Sequence, residues 1–158
     1  MSYDPQEIIA MLRRSYLAVD GLWFVMCEQR SGFEAALELD AEVWKVMSKL
    51  QARKAREVLG LPGNSLEELA RGLGLKFTAE GHEFEVRVEP ERLEMKITKC
   101  PWREALVKAE RLHLAEDIAR HICTQEGAGW AREFGREFEF EAANSLCGGG
   151  EACGFCFR

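Results

Sequence analysis

No apolar run in the chain is longer than the six residues Leu22–Cys27. That is far short of the ~20 residues a helix needs to cross a bilayer, so no membrane partner is expected. A basic excess is missing too. The 21 Lys and Arg residues are outnumbered by 27 Asp and Glu, for a net charge of -6. Nucleic-acid binding draws its affinity from clustered cations, so no nucleic-acid partner is expected. The opening Met1-Ser2-Tyr3-Asp4-Pro5 carries no basic leader, which predicts a cytoplasmic protein. Prolines number only four, and no internal repeat, low-complexity linker or coiled-coil heptad is visible. Disorder and a multidomain chain are both disfavoured.

What remains is an ordinary globular composition. The chain has 158 residues, 47% of them apolar and 30% charged, enough for one core without covalent staples. Asp4-Pro5 opens a helix, with Ile8, Ile9, Leu12, Tyr16, Val19, Trp23 and Met26 at helical spacing. Ser31-Gly32 ends it. A second helical pattern runs from Phe33 to Leu59, with Asp40 as a candidate restart, and Gly60-Leu61-Pro62-Gly63 stops it. Ser65 and Glu68 form a capping-box pattern for a short helix to about Leu73. Then the period changes. Phe84, Val86 and Val88 alternate with polar residues, as do Leu93, Met95 and Ile97, which predicts a hairpin. A short helix follows Pro101, and a longer one spans about Leu112 to Phe134, weakened by Gly127 and Gly129. Phe138, Phe140 and Ala142 alternate, and so do Cys153, Phe155 and Phe157, giving two more strands. The expectation is a single α+β domain over 1–158. A helical part (1–75) packs on an antiparallel sheet of about four strands with an inserted helix (80–158).

Six cysteines stand at 27, 100, 123, 147, 153 and 156. Without an export signal they read as metal ligands or reactive thiols rather than as a disulfide framework. Cys153 shares a strand face with Phe155 and Phe157, whereas Cys156 points the other way. The Cys153-x-x-Cys156 pair is therefore a poor chelate. Cys147 and Cys153, bridging the glycine turn, make a better pair, with Cys100 and Cys123 as the other candidate ligands. Thiolates of this kind suit zinc or an iron–sulfur cluster. The turn Gly148-Gly149-Gly150 is a tight connection needing positive φ, or else a nest of N–H groups for an anion. Gly149, Gly150 and Glu151 are accordingly candidate ligand contacts.

Asp20 lies within an apolar stretch, where a carboxylate needs a partner or takes a raised pKa. Glu28 falls near the same helix face. Trp23 is a candidate ligand contact, although it and Trp44 read more simply as core. His113, Asp117 and His121 share a helix face, most simply a solvated one.

The run Asp20-Gly-Leu-Trp-Phe24, with Ala35-Ala36-Leu37 and Val43-Trp44, resembles the N-terminal half of aminothiazoline-carboxylate hydrolase-like proteins. So does the second half, where Cys100-Pro101 precedes a helix, Cys123 lies in the next, and Gly149-Gly150-Glu151-x-Cys153-x-Phe155 closes the chain. That ending is also similar to the last segment of 4-vinyl reductase-type domains. The first resemblance implies a small-molecule ligand and hydrolysis of a C–N bond in a cyclic amidine. Cys153 would then be the nucleophile, or Asp20 or Glu28 would activate water. The second implies a cysteine-bound zinc. Glu126 stands one place later than the acid expected after the helical cysteine, and Cys147 and Cys156 fall outside the hydrolase pattern. Both departures shift weight toward a metal- or ligand-binding protein. A non-catalytic interaction subunit is a further alternative, and the apolar N-terminal helices would allow a homodimer.

Overall fold

The computed structural model describes residues 2–141 and 145–158. Five helices and four strands follow in order: α1 (Pro5–Ser31), α2 (Phe33–Leu59), α3 (Leu66–Glu80), β1 (Glu83–Glu89), β2 (Arg92–Lys99), α4 (Pro101–Lys108), α5 (Ala115–Glu133), β3 (Phe138–Glu141) and β4 (Cys153–Phe157). Single 3₁₀ turns at Leu112–Leu114 and Leu146–Gly148 lead into α5 and β4. This is the expected α+β architecture. Ala142 lies outside the described residues.

Local chemistry sets the helix limits. The Asp4 carboxylate accepts from the Gln6 amide at 2.9 Å, and Pro5 occupies the first helical position, where its missing N–H costs nothing. Ser65 and Glu68 form the full reciprocal capping box of α3. That helix runs on to Glu80 instead of stopping near Leu73, and Gly81, with φ +89, provides its left-handed end. Asp40 starts nothing, because α2 is continuous from Phe33.

The sheet is antiparallel, in the order β1-β2-β4-β3. β4 pairs with both β2 and β3, with Met95 opposite Phe155 and Ile97 opposite Cys153. Its inner face carries Leu93, Met95, Ile97, Phe155 and Phe157, which form one core with Leu69, Phe77, Trp130 and Phe134. Gly127 and Gly129 are buried in α5 for a steric reason. A Cβ on Gly129 would run into Ser48 of α2, and one on Gly127 into the Phe138 ring. The glycines therefore set how closely α5 approaches α2 and the sheet. Arg13 fastens α1 to the end of α3 by donating to the carbonyls of Ala79 (2.9 Å) and Thr78 (3.0 Å).

Candidate functional site

Between the helices and the sheet lies a cavity of about 100 Å³. By liquid volume that is room for roughly three waters. Its walls are largely apolar, with Trp44, Phe77, Trp102, Ile118, Ile122 and Phe155 among them. Asp20, Asp40, His82, Cys100, Arg103, Cys123, Glu126, Cys147 and Cys153 supply its polar lining. Almost every element of the fold contributes to it.

One wall is made of carboxyls. Asp20 comes from α1 and Asp40 from α2, and the neighbouring Trp44 indole favours the charged form of both. Burial raises Asp20 from 3.8 to about 6 against the pull of that indole. Burial raises Asp40 further, to about 7, with the charge of Asp20 adding to the effect. No ion pair to either carboxyl occurs among the described residues. Both residues also line an outer groove of about 350 Å³ between α1 and α2, with Val19, Trp23, Leu39 and Val43. The two acids thus stand between the groove and the cavity.

A buried ionic network lies alongside. The Lys76 ammonium is paired with Glu80 at 2.7 Å and Glu126 at 3.0 Å, and its side chain is only 3% exposed. Burial alone would lower its pKa, but the two carboxylates outweigh burial and hold it above its ordinary value. Glu126 is itself pushed up by burial. Gln51 donates to Glu80 at 3.1 Å and to Tyr16 Oη at 3.3 Å, so that with Glu126 on α5 the network joins four helices. His82 lies on the edge of the Phe77 ring, and burial followed by the charge of Lys76 lowers it from 6.5 to about 4, so it is neutral. Its buried Nδ1 makes no hydrogen bond among the described residues and is 3.7 Å from Glu80 Oε2.

Four thiols line the cavity as well. Cys100 precedes α4, Cys123 sits in α5, Cys147 in the 3₁₀ turn and Cys153 in β4. Cys153 Sγ accepts from the Leu146 amide at 3.3 Å. Burial drives Cys100 up to about 11 and Cys147 to about 12. It raises Cys123 well above 9.0, with the neighbouring Cys100 adding to the shift. The six cysteines are all free thiols.

The candidates named from sequence divide sharply. Asp20, Cys100, Cys123, Cys147 and Cys153 come together at the cavity. Glu28 does not, because it is committed to Arg111 at 2.6 Å. Trp23 is 68% exposed on the groove, whereas Trp44 is buried. Gly150 and Glu151 line a shallow depression on the outer face of the sheet with Glu94 and Lys96. Gly149, at φ +88, serves the turn. His121 is exposed, with Nδ1 2.8 Å from the Asp117 carbonyl. Five residues of the site and its ionic network were not candidates from sequence: Asp40, read only as a helix start, and Lys76, Glu80, His82 and Arg103. The spacing Lys76-x-x-x-Glu80 was a visible signal, but such pairs usually lie on surfaces.

The family described as a family of unknown function, DUF6125, matches residues 3–144. The chain belongs to that family. No curated protein and no solved structure matches the chain. The matched span covers the carboxyl wall, the ionic network, Cys100 and Cys123, and stops before Cys147 and Cys153.

Proposed function

We propose that the protein binds a small cationic molecule of the amine or amidine type in the cavity, anchored by Asp20 and Asp40. One observation carries this reading. Two carboxyls from different helices line a largely apolar cavity and are raised by burial and by other acids. A bound cation supplies the missing countercharge, and a planar amidinium gives each carboxyl an N–H. The buried Nδ1 of His82 offers a further contact. The volume suits a group of about four heavy atoms, with the groove holding whatever is attached to it.

The same acids support catalysis. A carboxyl with a pKa near neutrality gives and takes a proton at working pH. Of the acids named under the hydrolase resemblance, Glu28 is paired with Arg111, which leaves Asp20, with Asp40 beside it, to activate the water that attacks the amidine carbon. Calorimetric titration with acetamidine, guanidine and methylamine tests the binding. Saturable binding that disappears in Asp20→Asn and Asp40→Asn is expected. Heat of dilution alone for all three, or binding unchanged in both variants, removes the reading.

A second reading rests on a different observation, the convergence of four thiols from separate elements on one cavity. Cys100, Cys123, Cys147 and Cys153 would hold zinc or an iron–sulfur cluster, tying β4 to α4 and α5. Their chemistry suits either group. Their arrangement does not yet suit one, because no three His, Cys, Asp or Glu side chains among the described residues are placed to hold a metal ion. Elemental analysis of anaerobically purified protein decides this reading, and a metal-free result ends it.

A further inference from the structure

The first helix contributes nothing to the buried core. None of the described residues in α1 is buried, although it is 27 residues long. Ile8, Leu12, Val19, Leu22 and Met26 are each 45–65% exposed. With Ser15 they follow steps of four and three, the 3.5-residue period of a coiled-coil seam. Ser15 interrupts the apolar stripe and hides the heptad in the sequence, and the structure places the stripe on an exposed face. The second helix repeats the pattern. Leu39, Val43, Val46 and Leu50 are each more than half exposed, again in steps of four, three and four. Val19, Leu39 and Val43 line one groove, so the two stripes share a face.

We infer that a second copy of this chain covers that face, with the two α2 helices antiparallel across a two-fold axis. The α2 stripe is a palindrome about the point between Trp44 and Lys45. Reversal places Leu39 against Leu50 and Val43 against Val46, as an isologous contact requires. Most charges reverse in the same way. Glu34, Glu38 and Glu42 lie in the first half of α2 and Lys49, Arg53 and Lys54 in the second, with Glu57 and Lys45, an exposed partner of Glu42 at 3.3 Å, as exceptions. Glu42 and Lys49 flank the stripe at equivalent positions one heptad apart. In the antiparallel pair, Glu42 of one copy meets Lys49 of the other, twice. The area is sufficient. Two helices about 40 Å long, each presenting a face about 10 Å wide, offer about 800 Å² per chain, the size of a standard specific interface. The same contact roofs the groove that leads to Asp20 and Asp40.

Sedimentation equilibrium on the full chain, with far-UV circular dichroism as a check on folding, tests this. The expected species at about 100 µM is a dimer. Val46→Glu, a change at an exposed site, is expected to yield a folded monomer. Glu42→Lys and Lys49→Glu should each weaken the dimer about tenfold, because like charges then meet twice. The double reversal, Glu42→Lys with Lys49→Glu, should restore it. A monomer at that concentration overturns the inference, as does a dimer indifferent to Val46→Glu. Restoration absent from the charge swap overturns the antiparallel register.

Discussion

Asp20 and Asp40 stand 20 positions apart in sequence, yet they line the same cavity, and the charge of Asp20 helps to raise Asp40. Their protons are therefore a measurable property of the fold. Both folded pKa values, about 6 and about 7, lie above the ordinary 3.8. A raised acid stabilises the fold fully below its unfolded value, and that contribution is lost as pH rises through the folded value. His82, lowered to about 4, works in the opposite sense. Its contribution is complete above 6.5 and is lost as pH falls through 4. The parent protein sums these slopes, so the informative quantity is a difference. Between pH 4 and 7, the gap in Tm between parent and the Asp20→Asn/Asp40→Asn variant should move in favour of the variant as pH rises. With allowance for partial exposure, the pair accounts for on the order of 2 kcal/mol. At this chain length that is several degrees. A gap independent of pH would mean that the two carboxyls are not raised.

The cavity thiols make a kinetic prediction. The thiolate is the species that alkylates. Moving Cys100 from 9.0 to about 11 lowers its thiolate fraction at pH 8 roughly a hundredfold, and burial restricts access further. In the native protein, iodoacetamide should therefore modify Cys100, Cys123 and Cys147 at least about a hundredfold more slowly than a model thiol. Denaturant should bring all three to the free rate. Peptide mass spectrometry over time reads each site separately. Fast native labelling at Cys100 would show that the cavity opens readily.

Lys76 tests the ionic network. Its ammonium separates Glu80 from Glu126 in a setting where all three side chains are at least 87% covered. Lys76→Met leaves two buried carboxylates facing each other without a countercharge. Removing one partner of a buried pair costs about 3–5 kcal/mol. Lys54, paired with Glu57 at 2.7 Å but 65% exposed, is the control. Lys54→Met should cost less than about 1 kcal/mol. Urea denaturation of both variants measures the contrast. Equal losses would mean that the network is hydrated rather than buried.

How far these features could be read from sequence depended on whether their signal was local. The strands announced themselves by alternation, because a half-buried strand must place Phe84, Val86 and Val88 on one side. Cysteine is rare enough for four candidates to be picked out without knowing where they meet. Asp40 escaped because an acid before an apolar run looks the same whether it caps a new helix or continues an old one. Its role comes from Asp20 across the helix pair, and nothing adjacent to it in sequence carries that information. Lys76 and Glu80 escaped for a related reason, since i,i+4 pairs are the ordinary decoration of exposed helices. The outward stripes on α1 and α2 show the converse. Their spacing was plain, but periodicity gives a face and not what covers it. Glu28 looked equivalent to Asp20 by helix geometry alone, until Arg111, 83 positions away, took its charge.

Two glycines in helices separate packing from propensity. Glycine in a helix interior costs roughly 0.5–1 kcal/mol relative to alanine, so replacement is favourable wherever space allows. At Gly21 in α1 an added Cβ meets nothing within 4 Å, and Gly21→Ala should raise stability by about that amount. At Gly129 in α5 the same methyl would collide with Ser48, which is fully buried and whose hydroxyl donates to the Lys45 carbonyl at 3.1 Å. The Ser48 side chain is short and held within a helix, so α5 itself must move. Gly129→Ala should therefore destabilise by about 1–3 kcal/mol, the range of an overpacked core. Ser48→Gly in the same chain removes the obstructing atoms, and the double variant should recover much of that loss. Non-additivity of this kind is the signature of direct contact. Additive losses in a thermal-unfolding cycle would show that α2 and α5 do not approach each other at this point, and the cavity that depends on their spacing would have to be redrawn.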